Sequence, residues 1–303
     1  MPVILLIIAV VVIFMVLKPA NKDQQPANKV QQPMDKLTAI KPGDTSGEDS
    51  RDDWAQKMSS LSKVDNIQKK TDSLNPDTSL KSLSWDSCVQ GFNGVPPFQL
   101  CLEMANLGIP EAQYALAIYY EDGQVIPQNY NLAAYWYQKA AEQGHIPAVY
   151  NLGVFFDNGL GTPQNHRLAF QNYEIAAKCG FPDAQYNLGL LYYDGRGVSK
   201  NLNLAVQWWN SAADMGNGKA QYILGLLYYK GQGVSQDYTR AWLLWQKAAE
   251  QGIPLAQRDL GILYYEGKGV KQNKDLAIQW FKKAAQQGNI DTQQLLKKIG
   301  LSW

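Results

Sequence analysis

One period runs through most of this chain. Alanine stands at Ala112, Ala148, Ala184, Ala220 and Ala256, always 36 residues apart, and Gly123, Gly159, Gly195, Gly231 and Gly267 keep the same step. The Ala-Ala pairs that begin at Ala140, Ala176, Ala212, Ala248 and Ala284 move with them. A fixed period of roughly 20 to 50 residues marks a stacked-repeat architecture, in which one unit alone cannot bury its apolar face. The length of 303 residues is therefore mostly a matter of repeat number.

The stretch from Phe181 to Gly216 shows how one unit is built. Counting from Ala184 as zero, Ala184, Leu188, Leu191 and Tyr192 share one helical face and form a core stripe. Tyr186, Gly189 and Tyr193 form a second ridge, where Gly189 is expected to admit a neighbouring backbone. A helix apolar on two sides is an inner helix, here named A. Pro110, Pro182 and Pro254 suit its first turn, where the missing N–H costs nothing. Gly195 ends it, and Gly197 lets the loop take positive φ. Asn129, Asn165, Asn201, Asp237 and Asn273 then offer an oxygen to cap a second helix, B. Leu204, Ala205, Trp208, Trp209, Ala212 and Ala213 make its apolar half, while Gln207, Asn210 and Asp214 make the polar half, so B is the outer helix.

The pattern A-x-x-x-L-G-x-L-Y-x-x-G-x-G-V, a capping residue, L-A-x-x-W-W and A-A-x-x-G resembles the Sel-one-like repeat, a relative of the tetratricopeptide repeat. Five copies match over 110–289. The first two depart from it: Ala117 replaces the helix glycine, Val125 replaces the loop glycine, and Phe155-Phe156 replaces the usual Leu-Tyr. The resemblance implies an all-α fold, an α/α superhelical solenoid of five 36-residue helix-turn-helix repeats with capping helices. Terminal units have one unpartnered face and are atypical. Residues 73–109 read as N-terminal capping half-repeats, with Pro96 to Leu107 aligned to helix B, and residues 290–303 as a C-terminal capping helix.

Ahead of the repeats, Val3 to Leu17 is an uninterrupted apolar run inside residues 1–17. At about 1.5 Å per residue it spans roughly 22 Å, short of a hydrocarbon core of about 30 Å. No Lys or Arg precedes the run and no small-residue cleavage pattern follows it, which favours an uncleaved single-pass inner-membrane anchor, an N-terminal transmembrane helix, over a signal peptide. Lys18, Lys22, Lys29, Lys36 and Lys41 follow, and the charge rule puts the repeats on the cytoplasmic side. Cys88 and Cys101 flank a Gly- and Pro-containing stretch; a bridge there would favour the outside, and two reduced thiols would not. Residues 18–50 lack the apolar content to repay ordering and read as a tether. Residues 51–72 place Trp54, Met58, Leu61, Val64 and Ile67 on one face of an amphipathic helix. Cys179 occupies the register of Gln143 and Gln251 and reads as a surface thiol.

The search for chemistry ends on a binding surface. His145 and His166 differ in repeat position, and no groups converge as catalysis or a metal centre requires, so no catalytic, cofactor or metal residues are assigned. A net charge of +1 without a basic stripe argues against nucleic acid. The G-x-G-V loops follow a helix rather than a strand, so they are turns and not phosphate loops. No small-molecule substrate is expected. The variable positions are +3 and +10 on helix A: Asn151, Asn187, Ile223 and Asp259, with Asn158, Asp194, Lys230 and Glu266. They are expected to line the concave groove of the solenoid and to receive a protein partner. The family resemblance implies a membrane-tethered adaptor; an envelope-associated structural protein and a regulatory subunit of an enzyme complex are the alternatives.

Overall fold

The computed structural model describes residues 97–303. The anchor, the tether, the 51–72 helix, Cys88 and most of the N-terminal cap lie outside the described residues. Among the described residues the fold is all-α, a solenoid of repeated helix pairs with no strand. Contacts divide it after Asn201 into two compact units.

The first unit contains α1 (Pro97–Asn106), α2 (Pro110–Asp122), α3 (Tyr130–Glu142), α4 (Ile146–Asn158), α5 (His166–Lys178) and α6 (Pro182–Asp194). The second contains α7 (Leu202–Asp214), α8 (Gly218–Lys230), α9 (Tyr238–Glu250), α10 (Pro254–Glu266), α11 (Lys274–Gln286) and α12 (Ile290–Lys298). Within each unit every helix packs on the next. Even numbers are the inner helices A of the repeats, and α12 is the A-like cap.

The helix boundaries follow from local chemistry. Asn129, Asn165, Asp237 and Asn273 accept hydrogen bonds from backbone N–H groups in the first turn of their B helices. Gly195 closes α6 at φ 77°, in the left-handed region. Gly197 is at φ 68°, and a Cβ there would sit 2.2 Å from the His166 carbonyl oxygen, at the start of the preceding copy's B helix. That loop needs glycine both for conformation and for room.

The core follows the register. Ala112, Ala148, Ala184, Ala220 and Ala256 have no exposed surface, and Tyr137, Tyr173, Trp209, Trp245 and Phe281, one from each B helix, are almost completely buried. The helix glycine serves a different neighbour from the one expected. A Cβ on Gly153 would meet the Tyr173 ring at 2.8 Å, and one on Gly261 the Phe281 ring at 2.6 Å. What approaches is chiefly the aromatic side chain of the same copy's B helix.

A glutamine brace adds polar specificity. Gln113, Gln221 and Gln257 each donate to a carbonyl near the end of the preceding B helix, and each accepts from a glutamine at the end of its own copy's B helix, at 2.7 to 2.9 Å. The second copy has lost both members, as Val149 and Cys179, and Cys179 is exposed. In the third copy Gln185 keeps its bond to the Ala177 carbonyl, but its buried Oε1 has no hydrogen-bond partner, and methionine, Met215, stands at the donor's register.

Candidate functional site

The eight variable positions separate into two groups. At +3, Ile223 and Asp259 are only 4% and 6% exposed, so they do not line an open surface. The expected groove lining does not extend to these two buried side chains, and Asp259 is held by Tyr222 of the preceding copy and by Arg258. Asn187 lies between two tyrosines of the copy before it, donating to Tyr150 Oη at 3.5 Å and hydrogen-bonding Tyr173. Asn151 makes the same pair of contacts with Tyr114 and Tyr137. Burial pushes the Tyr150 phenol up to about 12, so it stays a neutral donor and acceptor.

Asp259 performs this role with charge. It accepts from Tyr222 Oη at 3.2 Å and lies 2.7 Å from Arg258 Nε, while Arg258 reaches Asp291 at 2.9 Å on α12. The Asp259 carboxylate raises the Arg258 pKa above its ordinary value. Arg258 occupies the register of Tyr150, Tyr186 and Tyr222, so the last copy joins its cap through an ion pair with Asp291 where the first two junctions use Tyr and Asn.

At +10 the side chains are more accessible. Asn158 and Lys230 are exposed, as is Asp122 of the first copy at the same register, whereas Asp194 and Glu266 are partly buried in ionic contacts. Arg196 lies 3.2 Å from Asp194 and 2.9 Å from Asp157, which also faces His166 Nδ1 at 2.8 Å. Burial raises the Asp194 pKa, and the Arg196 charge opposes that shift. Burial likewise raises the Glu121 pKa; its carboxylate accepts from Tyr137 Oη. In the second unit, Lys268 sits 2.9 Å from Glu266. Sequence reasoning missed this layer because +9 read as a packing ridge and +12 as a loop. The available signal was the variation at +12, which runs Gln124, Leu160, Arg196, Gln232, Lys268.

His166 belongs to the Asp157–Arg196 cluster, and among the described residues no three His, Cys, Asp or Glu side chains gather as a metal-binding group. His145 is a helix cap. Its Nδ1 accepts from the Ala148 N–H at 3.2 Å, and its ring lies 4.6 Å from that of Tyr114. Burial lowers its pKa, with Glu111 opposing. The folded state thus prefers neutral imidazole. The full contribution is present above the unfolded value near 6.5, and protonation removes the acceptor and puts a cation at the positive end of α4. His145→Asn keeps the cap without titrating. Stability of the wild type is expected to fall relative to this variant as pH drops from 7 to 5, measured as the difference between two urea midpoints, with a cap worth about 1 kcal/mol.

Relatives place this architecture. The model of the Sel1 repeat matches at 110–145, 146–181, 182–217, 218–253 and 254–289. No curated protein matches the chain in sequence. Among solved structures, a protective antigen of uropathogenic Escherichia coli described as displaying an SLR fold is 36% identical with a TM-score of 0.62, covering 68% of this chain and 45% of its own. A Sel1 repeat protein from Oxalobacter formigenes is 32% identical with a TM-score of 0.66, covering 71% of this chain and 63% of its own. The match thus spans less than two thirds of either relative. With five repeats recognised over more than half of its 303 residues, the chain belongs to the Sel1 repeat family.

Proposed function

We propose that this protein is a non-enzymatic, protein-binding scaffold, held at a membrane by residues 1–17, whose inner-helix row receives a partner protein. The observation that carries the reading is a division of labour within the repeat. Positions that recur are consumed by packing, whereas Asp122, Asn158 and Lys230, which differ in charge from copy to copy at one register, are exposed. Such variation on a fixed backbone distinguishes partners without altering the core. Asn151 and Asn187 hydrogen-bond tyrosines of the preceding copy and contribute by joining one copy to the next.

A photo-crosslinking residue at 158 or 230 is expected to give one discrete adduct in membranes, and the same residue at exposed Leu243 on an outer helix is expected not to. Removing residues 1–17 should release the protein from the membrane fraction and leave adduct formation intact with a soluble partner. Equal adducts from position 243 would reject the inner-row assignment.

A further inference from the structure

We propose that the corner made by Tyr229, Tyr238 and Glu266 recognises a primary ammonium group, that of a lysine side chain on the partner, and that Lys268 is its internal occupant in the free protein. The inference rests on the scaffold reading above and names the chemistry of one contact.

The two tyrosine rings meet at 62° with centroids 5.2 Å apart, and Tyr229 is backed by the buried Trp245 ring at 5.4 Å. Lys268 Nζ lies 5.7 Å from the Tyr229 centroid and 5.5 Å from that of Tyr238. The same nitrogen lies 2.9 Å from Glu266 Oε2 and hydrogen-bonds the Tyr229 side chain. Aromatic faces with a carboxylate complement a cation through the ring quadrupole and charge, and the hydrogen bonds select one that carries N–H donors. The elements come from four places in the fold: the end of α8, the start of α9, the end of α10 and the following loop. The two tyrosine rings are held by their contacts with one another and with Trp245, whereas the Glu266 carboxylate has Lys268 as its ionic partner.

The occupant can be exchanged but not simply lost. The Lys268 side chain is 39% exposed, on a flexible stem, whereas the Glu266 Oε2 that it faces is buried, so an ammonium that displaces it must take over that carboxylate. The corresponding cation two copies earlier is different: Arg196 is clamped between Asp157 and Asp194, and Asp157 and His166 stand at the registers of Tyr229 and Tyr238. A partner lysine presented along the inner row would displace Lys268 and take over its contacts.

The test uses Nα-acetyl-lysine amide as probe and Nα-acetyl-norleucine amide as its uncharged counterpart, titrated into the full chain and followed by NMR shifts of Tyr229 and Tyr238. An internal occupant lowers apparent affinity by the fraction of sites it leaves open. Lys268→Ala is therefore expected to bind the lysine probe about tenfold or more tightly than wild type, with no response to the norleucine probe. Lys271→Ala, an exposed lysine, makes the same charge change and should show no gain. Adding Glu266→Gln or Tyr238→Ala to Lys268→Ala should abolish the gain, and the conservative Glu266→Gln keeps the test valid if Tyr238→Ala does not fold. Equal affinities of Lys268→Ala and wild type, or a gain matched by Lys271→Ala, would overturn the proposal. Because the probe is a small molecule, that failure would leave crosslinking along the row unaffected; loss of crosslinking would instead reject the scaffold reading.

Discussion

Asp259→Ala is expected to destabilise the second unit by about 2 to 3 kcal/mol, although it removes only one small side chain. The reason lies in what remains. Arg258 has a side chain only 22% exposed and would keep one partner, Asp291, itself 48% exposed. Tyr222 Oη would lose its acceptor at the same time. Removing one member of a buried pair leaves the other's desolvation uncompensated, which is why the loss exceeds the net worth of the pair. Asp259→Asn retains an acceptor and should cost less. Arg258→Tyr with Asp259→Asn installs the pair found as Tyr150-Asn151 and Tyr186-Asn187, and is expected to recover most of the loss. The readouts are the urea midpoint and amide exchange in α10 to α12. A single variant that melts with the wild type would show that Asp259 does not anchor the cap.

The same residue shows what one sequence makes legible in a repeat. Ala184, Leu188 and Leu191 are fully buried, as their helical phase requires, because burial against the adjacent helix depends on phase alone. Exposed Cys179 follows from register for the same reason. The +3 position is harder. Its polarity is local, but its environment is supplied by side chains roughly one period away, such as Tyr150 above Asn187. A polar residue in a row of variable residues looks solvated until the covering phenol is found. The glutamine brace was more accessible: Gln113, Gln221 and Gln257 recur with Gln143, Gln251 and Gln287, and both partners vanish together in the second copy. Paired loss signals contact where single-position variation does not. The ammonium corner draws on two copies and has no comparable pairing in the sequence.

Gly225→Ala is the reverse case, a substitution that helix propensity favours and packing forbids. In an exposed helix it would stabilise by about 1 kcal/mol. Here the new Cβ would lie 2.4 Å from both Cδ1 and Nε1 of Trp245. The indole has little freedom to move: it is 2% exposed, donates to the Tyr222 carbonyl at 3.1 Å and packs against Tyr229. Relief therefore requires α8 and α9 to separate or the hydrogen bond to break, and the net loss is expected to be about 2 kcal/mol. The first copy indicates the compensation, since Ala117 stands at the glycine register and the smaller Tyr137 at the tryptophan register, both without exposed surface. Gly225→Ala with Trp245→Tyr should consequently be more stable than the sum of the two single losses by about 1 kcal/mol, as a double-mutant cycle would measure. If Gly225→Ala alone raises the urea midpoint, the ring does not need the missing Cβ, and the pairing of small residue with large aromatic would not set the spacing between the two helices of a repeat.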